Sequence, residues 1–235
     1  GGHGDYRTIT LAPNSVQEMA DFTIAAFEIA DRFRNPVLIL VDGILGQMME
    51  PVQLPEPITY DINQKPWALG YSGPRKGGRN LCSTIFLDVE LLEEHNWHLY
   101  QKYQVVTDEF AKGAYKDLAF EIHQVDDAEI ILVGYGIVSR ILKTVVEKAR
   151  KRGIKAGLVR PKALWPFPSN ILFELALKPN IKQFLIVEMS CGQMVEDVKL
   201  AVNGQKPVYF FGRTGGIVPS DFEILNEVDK LVRPD

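Results

Sequence analysis

The residues able to do chemistry in this chain sit at the ends of apolar runs. Gly1-Gly2-His3-Gly4-Asp5 places a histidine among three glycines, on a backbone that can approach a ligand closely. Histidine titrates near neutrality and suits proton transfer, so His3 and Asp5 are candidate catalytic residues. Terminal glycines are also where order is lost, and both readings stay open. Asp42 and Gln47 flank Gly43 and Gly46 just after the apolar run Val37 to Val41. Ligands of open parallel sheets bind beyond the carboxyl ends of strands, which makes Asp42 and Gln47 candidate cofactor-binding residues. Asp42 fits a turn or cap equally well. Glu188 closes another apolar run and Gln193 opens the helix after it. A carboxylate at such an edge bonds backbone amides or meets a partner domain. No base, nucleophile and orienting group converge, so no complete catalytic set is visible.

Two further patterns carry weaker chemistry. Gly134-Tyr135-Gly136 follows an apolar run and opens a helix, where a phosphate could sit. The full dinucleotide fingerprint needs a third glycine at the position held by Ser139, so a tight strand-to-helix turn is the plainer reading. His95 and His98 stand three apart beside Glu93 and Glu94, a spacing that one helical face could offer to a metal. The His-Glu-x-x-His order is absent, and no metal site is assigned.

These residues need elements to hold them. Asn14 or Ser15 can cap a helix over 15–33, with Glu18 at the capping-box position. Pro36 then opens a strand over 37–41, apolar enough to be expected buried on both faces, as parallel strands are. Residues 51–86 hold Pro51, Pro55, Pro57, Pro66 and Pro74 with four glycines, and read as an extended linker wrapped over a surface. A helix over 87–112 is expected to bridge two domains. Beyond 126 the pattern alternates. Strands are expected at 129–134, 156–160, 183–188 and 207–211, and helices near 137–152, 169–178, 192–202 and 219–232. Gly153 is the glycine just past a helix end. Alternation of this kind predicts βαβ units and a largely parallel sheet. The expected domains are 1–54, a linker and helix over 55–125, and 126–235.

Bulk properties narrow the class. The chain has 235 residues and a formal net charge of −4, which argues against nucleic acid as a main partner. The basic cluster Lys143 to Lys155 reads as the solvated side of a helix. Cys82 and Cys191 are the two cysteines, too few for a disulfide framework or a four-thiolate iron–sulfur cluster, so a reducing cytoplasm is expected. No apolar run approaches the roughly 18–20 residues of a membrane span. The first residues carry neither an initiator Met nor a signal-peptide pattern, and a piece of a longer polypeptide is expected.

Three junctions go further. Val159-Arg-Pro-Lys-Ala-Leu-Trp-Pro-Phe-Pro168, Val187-Glu-Met-Ser-Cys-Gly-Gln-Met194 and Phe211-Gly-Arg-Thr-Gly-Gly216 resemble the α subunit of 2-oxoacid:ferredoxin oxidoreductases. Gly1 to Tyr6 and Pro36 to Asp42 are similar to the end of that family's first domain, and Glu93 to His98 with Lys102-Tyr103 to its connecting helix. The style is nearest to the members acting on branched 2-oxoacids, chiefly 2-oxoisovalerate. The 2-oxoglutarate and pyruvate members are alternatives.

The resemblance implies an α/β fold: the end of a thiamine-diphosphate pyrimidine-type domain, then a transketolase C-terminal-like three-layer α/β/α domain. It implies a 2-oxoacid oxidised on thiamine diphosphate to an acyl-coenzyme A, with electrons passing to ferredoxin. The diphosphate and Mg²⁺ would lie mainly outside this chain on a β subunit, and [4Fe–4S] clusters on a small ferredoxin-like subunit. The family's activating glutamate and substrate-binding arginine lie upstream of Gly1, so this piece is expected to be inactive alone and oligomeric in its enzyme. Competing readings are the β chain of a lipoate-linked 2-oxoacid dehydrogenase and a non-catalytic scaffold or binding module.

Overall fold

A computed structural model of the chain describes residues 3–56, 61–74, 79–82 and 85–233. Its elements are β1 (Ile9–Leu11), α1 (Val16–Phe33), β2 (Val37–Ile39), α2 (Val89–Lys112), β3 (Phe120–His123), β4 (Ile130–Val133), α3 (Gly136–Lys151), β5 (Ala156–Pro161), β6 (Ala163–Trp165), α4 (Ser169–Leu177), β7 (Gln183–Glu188), α5 (Met194–Val202), β8 (Val208–Gly212) and α6 (Asp221–Val232).

The larger sheet runs in the order β3-β5-β4-β7-β8, parallel throughout except for antiparallel β3 at its edge. Its central strands are largely apolar because helices cover both faces, with Arg160 of β5 and Gln183 and Glu188 at the ends of β7 the polar exceptions. Ile131, Val133, Phe184 and Ile186 face α4 and α5 through Leu172, Leu175, Val195 and Val198. Ile130, Leu132, Leu185 and Val187 face α3 and α6 through Leu142, Val145, Ile224 and Val228. The result is a three-layer α/β/α unit. The helix and strand positions read from periodicity agree with it to within a few residues.

A second, three-stranded sheet has the order β2-β1-β6, with β1 parallel to β2 and antiparallel to β6. Its core holds Ile9, Leu11, Phe22, Ile29, Phe33, Val106, Phe110 and Tyr115. One strand of this sheet, β6, comes from residues 163–165, so the chain crosses back into the first core after β5. Ser15 caps α1 by accepting from the Glu18 amide at 3.1 Å. The reciprocal carboxylate bond goes to the Asn14 amide instead, at 2.9 Å.

One expectation needs correction. The 37–41 strand is not buried on both faces. It shortens to β2, lies at the sheet edge and leaves Leu38 47% and Leu40 39% exposed. Among the described residues no helix covers that face. The expected 87–112 helix is α2. The residues it buries, Tyr103, Val106 and Phe110, lie in its C-terminal half, and Val106 and Phe110 belong to the small-sheet core. The segment between β2 and α2 carries no strand or α-helix among its described residues. It lies against α1, where Lys65 pairs with Asp31 and Arg34 stacks over Trp67 at 4.8 Å.

Arg160 joins the two sheets. It projects from β5, is 2% exposed, and grips Glu18 of α1 with its two terminal nitrogens, Nη1 and Nη2. Nη1 also donates to Glu121 of β3 at 3.0 Å, and Nη2 to the Ala12 carbonyl at 3.4 Å. Two-pronged geometry of this kind is particular to arginine. Removing one member of a buried pair strands the other's charge, so Arg160→Ala is expected to lower unfolding free energy by about 3 kcal/mol. Arg160→Met combined with Glu18→Met is expected to recover much of that loss. Urea unfolding of both variants measures it, and an Arg160→Ala midpoint equal to wild type contradicts it.

Candidate functional site

The chain passes from β4 through α3 to β5 on one side, and later places β7 on the other side of β4. The carboxyl ends of β4 and β7 therefore flank a topological switch point, where open α/β sheets take their ligands. Two helices, α3 and α5, begin there. Each leaves free amides and a positive dipole end at the crevice.

The chain fills both ends with its own carboxylates. Asp42, just past β2, accepts from the Ile137 amide of α3 at 2.8 Å, while its other oxygen accepts from the Leu45 amide at 3.0 Å. Gly136 has φ +57, and a Cβ there would lie 2.7 Å from the Asp42 carboxylate. The glycine is thus needed both for its backbone angle and for this approach. Ser139, at the fingerprint's missing glycine, is buried. Its hydroxyl donates to the Gly136 carbonyl at 2.8 Å and accepts from the Asn14 side chain at 3.1 Å. At α5, Glu188 is 1% exposed. It accepts from the amides of Gln193 at 3.2 Å, Met194 at 3.1 Å and Val195 at 2.9 Å, and from the Ser190 hydroxyl at 3.0 Å.

The two carboxylates act on Tyr135, which lies on the turn between β4 and α3. Burial pushes its phenol above the ordinary value, and the charges of Glu188 and Asp42 push the same way. Asp197 in the first turn of α5 is likewise raised, by burial first and then by Glu196 and Glu188. A crevice already negative, with its helix ends occupied, opposes a phosphate. The strand-to-helix turn reading of Gly134–Gly136 is the one the geometry supports.

The other candidates take different places. Gln47 ends a 3-10 turn, Leu45–Gln47, and is exposed. His3 is exposed and forms no hydrogen bond with a described residue. Asp5 lines a cavity against α2 with Arg7, Asn96, Tyr100, Gln104 and Trp165. Asp42 and Glu188 thus share Tyr135, whereas Asp5 faces another helix. His95 stacks on Phe86 with ring centroids 4.8 Å apart. Among the described residues no group of three or more His, Cys, Asp or Glu side chains is arranged to hold a metal ion.

Sequence reasoning passed over Arg160 and Glu50. An arginine inside an apolar strand was the available signal, because such a charge needs a buried carboxylate. Glu50 accepts from the Val16 amide of α1 at 3.0 Å and from Arg140 of α3 at 2.7 Å. That amide first, and Arg140 second, hold its carboxyl below the usual range.

Two outcomes follow. Glu188→Gln sets a side-chain amide against backbone amides that need acceptors, and is expected to cost about 2 kcal/mol in urea unfolding. An unchanged midpoint sinks that role. A depressed carboxyl favours the ionised, folded form, so Glu50's contribution is present above its unfolded value and lost as pH falls through the folded one. The stability gap between wild type and Glu50→Gln should hold from neutral pH to about 5 and narrow below about 4. A gap independent of pH contradicts it.

Residues 128–224 match the family model of pyruvate:ferredoxin oxidoreductase core domain II. Residues 3–77 match that of the pyruvate flavodoxin/ferredoxin oxidoreductase thiamine-diphosphate-binding domain. The chain is similar to the ketoisovalerate oxidoreductase subunit VorB of Methanothermobacter marburgensis, 46% identical over 98% of its own length and 62% of that subunit's. It is 30% identical to the 2-oxoglutarate synthase subunit KorA of the same organism, over 97% of this chain and 65% of that one. It therefore spans slightly less than two thirds of these relatives. Its fold matches a 2-oxoglutarate:ferredoxin oxidoreductase from Magnetococcus marinus, solved with 2-oxoglutarate, coenzyme A and succinyl-CoA bound, at a TM-score of 0.67 and 17% identity, covering 99% of this chain and 43% of that one. With both family models in order along it and a relative 46% identical over nearly its whole length, the chain belongs to the 2-oxoacid:ferredoxin oxidoreductase family.

Proposed function

We propose that the protein carrying this chain is a subunit of an enzyme that oxidatively decarboxylates a branched 2-oxoacid, 2-oxoisovalerate first, to its acyl-coenzyme A and passes the electrons to ferredoxin. The observation that carries the choice of acid is the contrast in identity: 46% to a ketoisovalerate oxidoreductase subunit against 30% to a 2-oxoglutarate synthase subunit.

The α3 and α5 ends do not fit a diphosphate and its metal. These ends, which could take phosphates, hold Asp42 and Glu188, and no cluster of metal-ligating side chains is present among the described residues. We therefore assign the diphosphate and Mg²⁺ to other parts of the assembly. Two cysteines cannot ligate a four-thiolate cluster, which supports [4Fe–4S] clusters on a partner subunit. Both cysteines are free thiols, consistent with a reducing cytoplasm. No helix of the described residues is long and apolar enough to cross a membrane.

What this chain's own residues supply is position. Asp42, Glu50 and Glu18 tie β2, the turn after it and α1 to α3 and β5. That seam fixes the first domain's sheet edge against the second domain. We propose the domains as 1–54, a linker and helix over 55–125, and 126–235, with β6 lent back to the first.

The test uses the full-length protein isolated with its partner chains. Reduction of a low-potential dye is followed with coenzyme A and 2-oxoisovalerate, 2-oxoglutarate or pyruvate in turn. Fastest turnover with 2-oxoisovalerate is expected. Preference for 2-oxoglutarate reassigns the substrate, and turnover only with a lipoyl acceptor removes the ferredoxin reading.

A further inference from the structure

We propose that the N-terminal half of α2 is a docking arm for a different polypeptide, one presenting an apolar surface rimmed by lysine or arginine. The helix has 24 residues and buries only Tyr103, Val106 and Phe110. Residues 89–94 are all exposed. Val89, Leu92, Asn96 and Tyr100 recur at helical spacing and, with Glu93 and Trp97, line one open groove that ends at Asp5. Trp97 is 60% exposed and meets Tyr100 edge to face at 5.9 Å. The approach to the helix adds exposed Ile85 and Leu87. A contiguous apolar face with aromatic anchors is the composition of an interface core.

Charge selects the occupant. Between residues 85 and 101 the chain carries Asp88, Glu90, Glu93 and Glu94, and no Lys or Arg. Asp88 caps the Leu91 amide at 3.0 Å. Glu90, Glu93 and Glu94 form no ion pair with a described residue. A second copy laid arm against arm would set carboxylates on carboxylates. The cation nearest the arm on this helix is Lys102, and its ammonium is held by the Asn35 side chain at 3.0 Å and lies 3.5 Å from the Arg34 carbonyl. Like charges facing one another suppress a partner, whereas a basic rim completes this one.

The inference rests on the multi-subunit reading above, but its test reads assembly rather than turnover. The full-length subunit carrying Glu90→Lys, Glu93→Lys and Glu94→Lys is titrated with the partner chains of the wild-type complex and followed by native mass spectrometry. Partner affinity is expected to fall by about tenfold or more, because rim charges oriented toward an oppositely charged surface are reversed. Trp97→Ala is expected to weaken the same contact without changing charge. The thermal midpoint of the free subunit should not move in either variant, since these groups are exposed among the described residues, and a lowered midpoint assigns the face to another segment of the same polypeptide and overturns the arm. Unchanged partner affinity overturns the arm. Charge reversal that instead drives the subunit to pair with itself assigns the face to a second copy and also overturns it. A wild-type protein with no partner chain overturns both the arm and the subunit reading. A complex that turns over 2-oxoacid and binds the variants equally well overturns the arm alone.

Discussion

Every helix begins with amides that no residue of the helix can satisfy, and the way this chain satisfies them shapes the seam between its sheets. α5 takes Glu188 from the strand before it, and α6 closes its own capping box through Ser220 and Glu223. α1 and α3 reach further. The Val16 amide is met by Glu50 and the Ile137 amide by Asp42. Those two carboxylates flank the short segment after β2, so capping and joining the sheets are one act. A carboxylate at a positive helix end is favoured by the dipole as well as by the hydrogen bond.

The same seam is therefore polar where the cores on either side are apolar. Arg160 with Glu18, Arg140 with Glu50, Asp42 with the Ile137 amide, and Asn14 with Ser139 carry direct bonds across it. Interactions of this sort fix orientation more than they add stability, because removing charges from water offsets most of the attraction between them. Their value lies in register. Once Arg160 holds both oxygens of Glu18, α1 has one position along β5. The apolar clusters beneath the two sheets could tolerate small slides that this contact does not.

Much of this was legible in the sequence. The periodic run from Val16 to Phe33 and the largely apolar runs at 130–133, 156–161 and 183–188 lie where periodicity and burial place them, because long regular patterns outweigh local noise. Strands β1, β3 and β6 were not legible. Three or four residues are too few to display alternation, and their partners lie far along the chain. Leu38 and Leu40 misled for a related reason: an apolar strand reads as buried whether or not anything covers it. At the candidate site, Asp42 and Glu188 were visible as carboxylates at strand ends. That one reaches across to another helix, while the other serves its own, depends on tertiary placement that spacing does not encode. Arg160 stood inside the Arg-Pro junction as a motif residue, and nothing local announced Glu18 as its partner.

The sequence separations across the seam have a kinetic meaning. The Asp42–Ile137 contact closes 95 residues and the Arg160–Glu18 contact closes 142. Loop closure on this scale depends only weakly on length, adding about 0.6 kcal/mol for each doubling, so neither contact is favoured over the other by proximity. Each has to wait until the elements bearing its two ends are formed. β1, α1 and β2 can assemble on near-neighbour contacts, and so can each βα unit of the larger sheet, but β6 and the seam cannot. The contacts that set the angle between the two halves are thus among those of long sequence separation, the kind whose share slows folding across small domains.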